Sequence, residues 1–301
     1  MLETNEDKLI MLSVVGEVNS PVTGAGLNSH DGQLRFLPQV GGITYNIKVG
    51  DPVCGWQADH VEPGVSITNK ESPQGGYSAN NAFNIFSQIG NEAKVITGDA
   101  KGKKGTVTGK HGGIEHILVD FDDETLDNLV IGDRILVKSY GIGLELSDYP
   151  HIKVMNISPD LLHKIPIGKS RKKLRIPVTH QVPAKIMGSG LGSVHSYRGD
   201  YDIQLFDKKI VEEYGLDSLR FGDLVAITDA DNTYGRIYKT GAVSIGVVVH
   251  SDCVLAGHGP GVTTIFTSSE GKIEPIIESE SNIGFYLKIG RYREKAKPKK
   301  K

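Results

Sequence analysis

The chain has 301 residues, 38% of them hydrophobic and 23% charged, with 37 glycines and 13 prolines spread along its length; this excludes the low-complexity and fibrous classes and predicts many tight turns. Cys54 and Cys253 are its only cysteines, too few for a disulfide framework, and no apolar run reaches the roughly 20 residues of a membrane-spanning helix. The formal charge of −2 hides an asymmetry, because residues 291–301 hold seven Lys and Arg against one Glu and leave the body acidic, a poor general partner for a polyanion.

Taken in chain order, the opening segment MLETNEDKLIMLSVVGEV places acids before its apolar run. That is the reverse of a secretory signal, so a cytoplasmic protein without membrane association is expected. Strands are predicted at LSVVGEV, AKVITG, TVTGK, HILVDF, KVMNI, YDIQLF, AVSIGVVVH and GFYLKIG, all rich in Val and Ile or aromatic residues and bounded by turn formers. Helices are few. One is predicted from Ser78 as cap to Ile89, another from Ser158-Pro159, and a third from Asp207 as cap to Gly215. A Gly-Asp pair recurs at Gly50-Asp51, Gly132-Asp133 and Gly222-Asp223; glycine supplies the positive φ of a turn and aspartate caps the backbone beside it, so a strand is expected to follow each. The prolines and basic run of residues 147–177 read as a linker. The expected fold is mainly β with a few short helices. It comprises a domain over 1–147 with an SH3-like barrel element, a β-rich domain over 148–290, and a basic disordered tail over 291–301.

Several segments carry residues suited to chemistry. In GWQADHVEPGVS, His60 and Glu62 follow Asp59 and share one side of an extended chain, although a polar turn closed by Pro63-Gly64 is the plainer account. In GDAKGKKGTVTGK, Lys101, Lys103, Lys104 and Lys110 could hold an RNA backbone or form the solvated tip of a hairpin. HSYRGDYDIQLFD offers His195, Asp200 and Asp202, the two acids sharing a strand face with Gln204, and TDADNTYGR offers Asp229 and Asp231 at a strand end. The densest grouping is VVVHSDCVLAGHGPGVTT. There His250, Asp252 and His258 are candidate catalytic groups, with His250 and His258 as candidate ligands of a divalent metal. Gly257, Gly259, Gly261 and Thr263 would let the backbone approach a ligand.

Three resemblances add to this reading. Over nearly its whole length, through GWQADHVEPGVS, IGNEAKVITGDAKGKKGTVTGKHGGIEHILVDF and AGHGPGVTTIFTS, the chain resembles a family described as a domain of unknown function, which implies no activity. Residues 93–121, with Gly105 at the characteristic position, are similar to the KOW motif of ribosomal and elongation proteins, which implies a hairpin in a small barrel and RNA as a partner. Residues 199–235, through GDYDIQ, FGDLVAI and TDADNTYG, resemble the acetamidase/formamidase family. That likeness implies an amide hydrolase using Asp202 with Asp229 or Asp231, but Leu224-Val225 stands where that family has a histidine. The expectation is a small-molecule or metal-binding protein, in the hydrolase direction, with its site in the C-terminal half. An RNA- or translation-associated module using the hairpin lysines and the tail is the alternative. Either is compatible with a homo-oligomer.

Overall fold

The structure, a computed structural model, describes residues 2–294 apart from 74, 76 and 171. Strand accounts for 34% and helix for 15%, so the protein is mainly β. Among the described residues no helix is long and apolar enough to cross a membrane.

The N-terminal half is built on six strands: β1 (Leu12–Val18), β2 (Gly64–Thr68), β3 (Glu92–Val95), β4 (Lys104–His111), β5 (His116–Asp120) and β6 (Arg134–Ser139). They pair antiparallel in the order β1-β6-β3-β4-β5-β2, and β2 returns to β1 through Glu17 opposite Thr68 and Val18 opposite Ile67, which closes a barrel. Closure leaves these strands no unpaired edge. The alternation of β3 shows why the chain folds this way, with Ala93 and Val95 inward and Glu92 and Lys94 outward. Val18, Val65, Ile67, Val107, Ile117, Val119, Ile135 and Val137 fill the interior with them.

Six longer strands follow: β7 (Leu174–Val178), β8 (His180–Pro183), β9 (Leu224–Asp231), β10 (Ile237–Val248), β11 (Val262–Ser268) and β12 (Ile273–Ile277). The second sheet runs from the short strand Lys153–Val154 through β11, β10 and β9 to β8, while β7 pairs parallel with β12 in a small third sheet. One buried cluster crosses from one half to the other, bringing Ile89 and Leu118 together with Ile157, Leu161 and Val249.

Five short α-helices complete the fold: α1 (Ala79–Phe86), α2 (Asp123–Asn128), α3 (Pro159–Lys164), α4 (Lys208–Tyr214) and α5 (Ile283–Leu287). Ser78, Ser158 and Asp207 cap α1, α3 and α4 as their sequences predict, and Gly215 closes α4 at φ 64°. Helix α1 stops three residues before Ile89, because Ser87 is already extended.

The Gly-Asp turns share one geometry. Each glycine has φ between 85° and 98°, and each carboxylate accepts the N–H three residues upstream, Asp51 from Lys48, Asp133 from Val130 and Asp223 from Arg220. Strands β6 and β9 follow two of them, but no strand follows Asp51.

Other expectations change. GFYLKIG is helix α5, because Asn282 accepts the Gly284 N–H as a cap and Lys288 ends the turn in the left-handed region. YDIQLF forms only isolated bridges, Asp202 with Gly261 and Ile203 with Met187. The predicted linker is a folded part of the core, where Ile152, Val154, Ile157, Leu161, Leu162 and Ile165 are buried. At the start of the basic tail, Arg291 forks onto Asp51 at 2.6 and 2.7 Å and Arg293 pairs with Asp120, so this stretch is docked rather than disordered. The lysines from 295 onward lie outside the described residues.

Candidate metal centre

Four histidines and two aspartates from five separate stretches of chain converge where the barrel meets the second sheet. They form two groups whose ligand atoms lie within 4.8 Å of one another: His60, Asp202 and His258, and His111, Asp200 and His250. A hollow of about 260 Å³ opens onto five of the six, all but the fully buried His250. Larger hollows of about 720 and 440 Å³ lie elsewhere and hold none of these residues.

His60 sits in the loop before β2 with φ 55°, a left-handed conformation that costs a non-glycine residue about 1–3 kcal/mol and persists only where its surroundings enforce it. Its Nδ1 is 2.6 Å from Asp59 Oδ2, and its Nε2 faces His258 Nδ1 at 2.8 Å. Asp202 Oδ2 lies 3.1 Å from that same His258 nitrogen and 3.7 Å from His60 Nε2.

His111 ends β4. Its Nδ1 lies 2.5 Å from Glu62 Oε1, which directs the opposite nitrogen away from the carboxylate, and its ring stacks on His250 with centroids 4.3 Å apart. His250 follows β10 and is fully buried; its Nδ1 donates to the Ser251 carbonyl at 2.9 Å. Its Nε2 stands 2.9 Å from Asp200 Oδ2, yet the two atoms are not aligned as a hydrogen bond and neither has another hydrogen-bond partner. A contact of that length between an imidazole nitrogen and a carboxylate needs a positive charge, supplied by a proton on Nε2 or by a metal ion that both atoms face.

The carboxylates are held by backbone. Asp200 Oδ1 accepts from Gly112 N at 2.8 Å, and Asp202 Oδ2 from Gly259 N at 3.3 Å. A Cβ on Gly261 would overlap both Asp200 Oδ2 and His250 Nε2, so only glycine fits there.

Burial opposes charge throughout, but the mutual attraction prevails. The carboxylates of Asp202 and Asp59 on either side of its ring push His60 up to about 11 against its burial, and Asp200 raises His250 well above the usual imidazole range. Burial would likewise raise Asp200 and Asp202, but the surrounding histidines hold both below the ordinary carboxylate range. The acids demand positive charge, which protons or metal ions can supply.

The structure thus gathers His60, Asp200, Asp202, His250 and His258 from the residues singled out in the sequence and sets others aside. Glu62 reaches no cavity, since it bonds His111 and His116, takes the Ser66 hydroxyl and accepts from Gly41 N. It orients histidines rather than binding a ligand. Asp252 accepts from its neighbour Cys253 N and lies outside both groups. Asp229 caps the Gly241 N–H, and Asp231 holds Thr233 in an Asx turn, so neither reaches the cluster. Gln204 also turns away, toward the Met187 carbonyl. Thr263 ties β11 to the Lys110 carbonyl, and Gly257 accepts from Ser189 N. His195 is exposed on the wall of the hollow.

Of the hairpin lysines, Lys103 pairs with Glu124 and Lys104 with Glu92, while Lys101 is exposed. Lys110 is fully buried, held by Asn156 Oδ1 at 2.7 Å and the Tyr197 carbonyl at 3.0 Å, and is no part of a basic tip. His111, in GKHGG, is a member of the centre that the sequence does not single out. Its signal is the one that marks GHGPG, a histidine beside glycines.

Two family models divide the chain. "Domain of unknown function (DUF4438), N-terminal" matches residues 27–163, and "Domain of unknown function (DUF4438), C-terminal" matches residues 164–287. A solved structure titled "Crystal structure of TM1086" is 48% identical, covers 95% of this chain and 99% of its own, and superposes with a TM-score of 0.90. No curated protein matches. The chain therefore belongs to the DUF4438 family, carrying both its N-terminal and its C-terminal domain.

Proposed function

We propose that this protein is a metal-dependent hydrolase of small amides, with two divalent cations held by His60, Asp202 and His258 and by His111, Asp200 and His250. The observation that carries the reading is the pair of unpartnered atoms His250 Nε2 and Asp200 Oδ2, 2.9 Å apart in a fully buried setting. Three of the four imidazoles also anchor their second nitrogen, on Asp59, Glu62 and the Ser251 carbonyl, the arrangement that fixes tautomer and orientation in metal sites. Imidazole and carboxylate donors suit first-row divalent ions such as zinc or manganese.

Bound by His60, Asp202 and His258 and by His111, Asp200 and His250, the cations would polarise a carbonyl and lower the pKa of a bound water to about 7. Hydrolysis of an amide adds the hydroxyl of one water to the carbonyl carbon, breaks the C–N bond and returns the remaining proton to the departing nitrogen. The likeness of residues 199–235 to amide hydrolases agrees at Asp202 alone.

Elemental analysis of the purified protein, or of protein titrated with zinc, is expected to give about two equivalents, together with hydrolysis of formamide or acetamide that chelation abolishes and zinc restores. D200N and H250A are expected to lower the rate by about 100-fold or more, the scale seen when one group stabilising the reacting charge is lost. A protein that takes up no divalent ion at neutral pH, with an unchanged melting temperature, would overturn the proposal.

A further inference from the structure

The same hollow contains a buried cation that has the carboxylates of Asp200, Asp202 and Glu115 around it but is in ion-pair contact with none of them. Arg236, in the connection between β9 and β10, is only 3% exposed and lines the cavity with Arg198, His195, Ser189 and Ser193. Its guanidinium lies 5.1 Å over the Tyr201 ring, and its two Nη atoms donate to the Gly190 and Arg198 carbonyls at 3.3 and 2.9 Å. Its Nε has no partner, and no ion pair involves it among the described residues. Arginine cannot shed its proton in a protein, and a buried charge without a counter-ion is costly.

The acids nearby are already committed on the two-cation reading, on which this inference rests. Two divalent ions balance the four carboxylates Asp59, Glu62, Asp200 and Asp202, and Glu115, which also lines the hollow, offsets Arg198 at 4.0 Å, so the charge on Arg236 remains. The geometry points to Arg236 as the subsite for a substrate carboxylate, which makes the substrate class a small amide that also bears a carboxylate. A planar guanidinium whose Nε has no partner matches a carboxylate in a way that a point-charge lysine does not. The volume of about 260 Å³ lies below the range of about 300–1,000 Å³ typical of drug-sized ligands, which limits the substrate to a small one.

The test compares N-acetylglycine with N-acetylglycinamide, which differs in having no charge, on the zinc-titrated full-length protein by calorimetry. Wild type is expected to bind N-acetylglycine at least about tenfold more tightly, or about 1.4 kcal/mol. In R236K that preference is expected to disappear while zinc content stays at the wild-type level, which a merely structural arginine would not produce. Equal binding of the two ligands by wild type overturns the subsite even if R236K fails to fold, and so does a preference that survives in folded R236K. Inorganic phosphate competing more tightly than acetate would overturn the carboxylate assignment. Zinc uptake is measured separately, so a protein without metal but with an Arg236-dependent preference would sink the hydrolase reading alone.

Discussion

An imidazole can face a cation only when its remaining proton is held elsewhere, and the acids that hold it here are buried. Asp59 and Glu62 are at most 1% exposed and touch no cavity of their own, so their contribution passes through His60 and His111. D59N and E62Q are expected to keep the fold while weakening zinc binding about 10- to 100-fold, the range for such orienting partners, as read by competition with a chromogenic chelator. Much of this centre is legible at the level of single residues. A histidine between glycines marks a place where backbone and ring can come close together, which identifies His258 in GHGPG, while His60 and His250 stand out by the acids near them, Asp59, Glu62 and Asp252. Asp229 and Asp231 look equally suitable in one dimension, but their oxygens are consumed by the Gly241 and Thr233 N–H groups. Only tertiary structure shows where those bonds go. His111 is hidden by its neighbours, because the lysines of the hairpin dominate the chemistry of that segment.

At the level of elements, local chemistry is readable wherever a bond stays within a few residues. The caps on α1, α3 and α4 and the Gly-Asp turns satisfy that condition. Asp133 shows the scheme at its fullest, accepting from Val130 N and from Thr97 Oγ1, each at 3.0 Å, at the entry to β6. D133A removes the acceptor of the Val130 N–H and of the Thr97 hydroxyl, and a loss of about 1–3 kcal/mol, at about 0.5–1.5 kcal/mol per hydrogen bond, is expected in urea unfolding. Elements fixed by distant packing escape a local reading. GFYLKIG has a strand composition, yet Asn282 starts a helix that seats Ile283 in the core shared with α3. The proline-rich stretch before β7 has the look of a linker because its apolar residues alternate with breakers, whereas those residues fill the join between the two halves.

The molecule as a whole is tied end to end. Asp120 closes β5 and receives Arg293 from the far end of the chain, and burial outweighs that pairing to raise its pKa from 3.8 to about 6. A carboxyl that holds its proton more tightly folded than unfolded favours the folded state at low pH. Stability at this group is therefore expected to fall as the pH rises from about 4 to about 6, by about 3 kcal/mol in all, since each tenfold gain in proton affinity on folding is worth about 1.4 kcal/mol. Melting temperatures across that interval should decline less steeply for D120N than for wild type.

The six candidate ligand side chains are widely separated along the chain. His60 and His111 are synthesised early, and His258 is separated from His60 by 198 positions. A nascent or truncated polypeptide thus cannot complete the centre, and on the proposed two-cation reading it would capture its ions only after nearly all of the protein has left the ribosome. Each ion would then fasten the barrel to the second sheet, and metal supply would set the fraction of chains that resist unfolding, since a ligand bound only by the native state stabilises it by RT ln(1 + [L]/Kd).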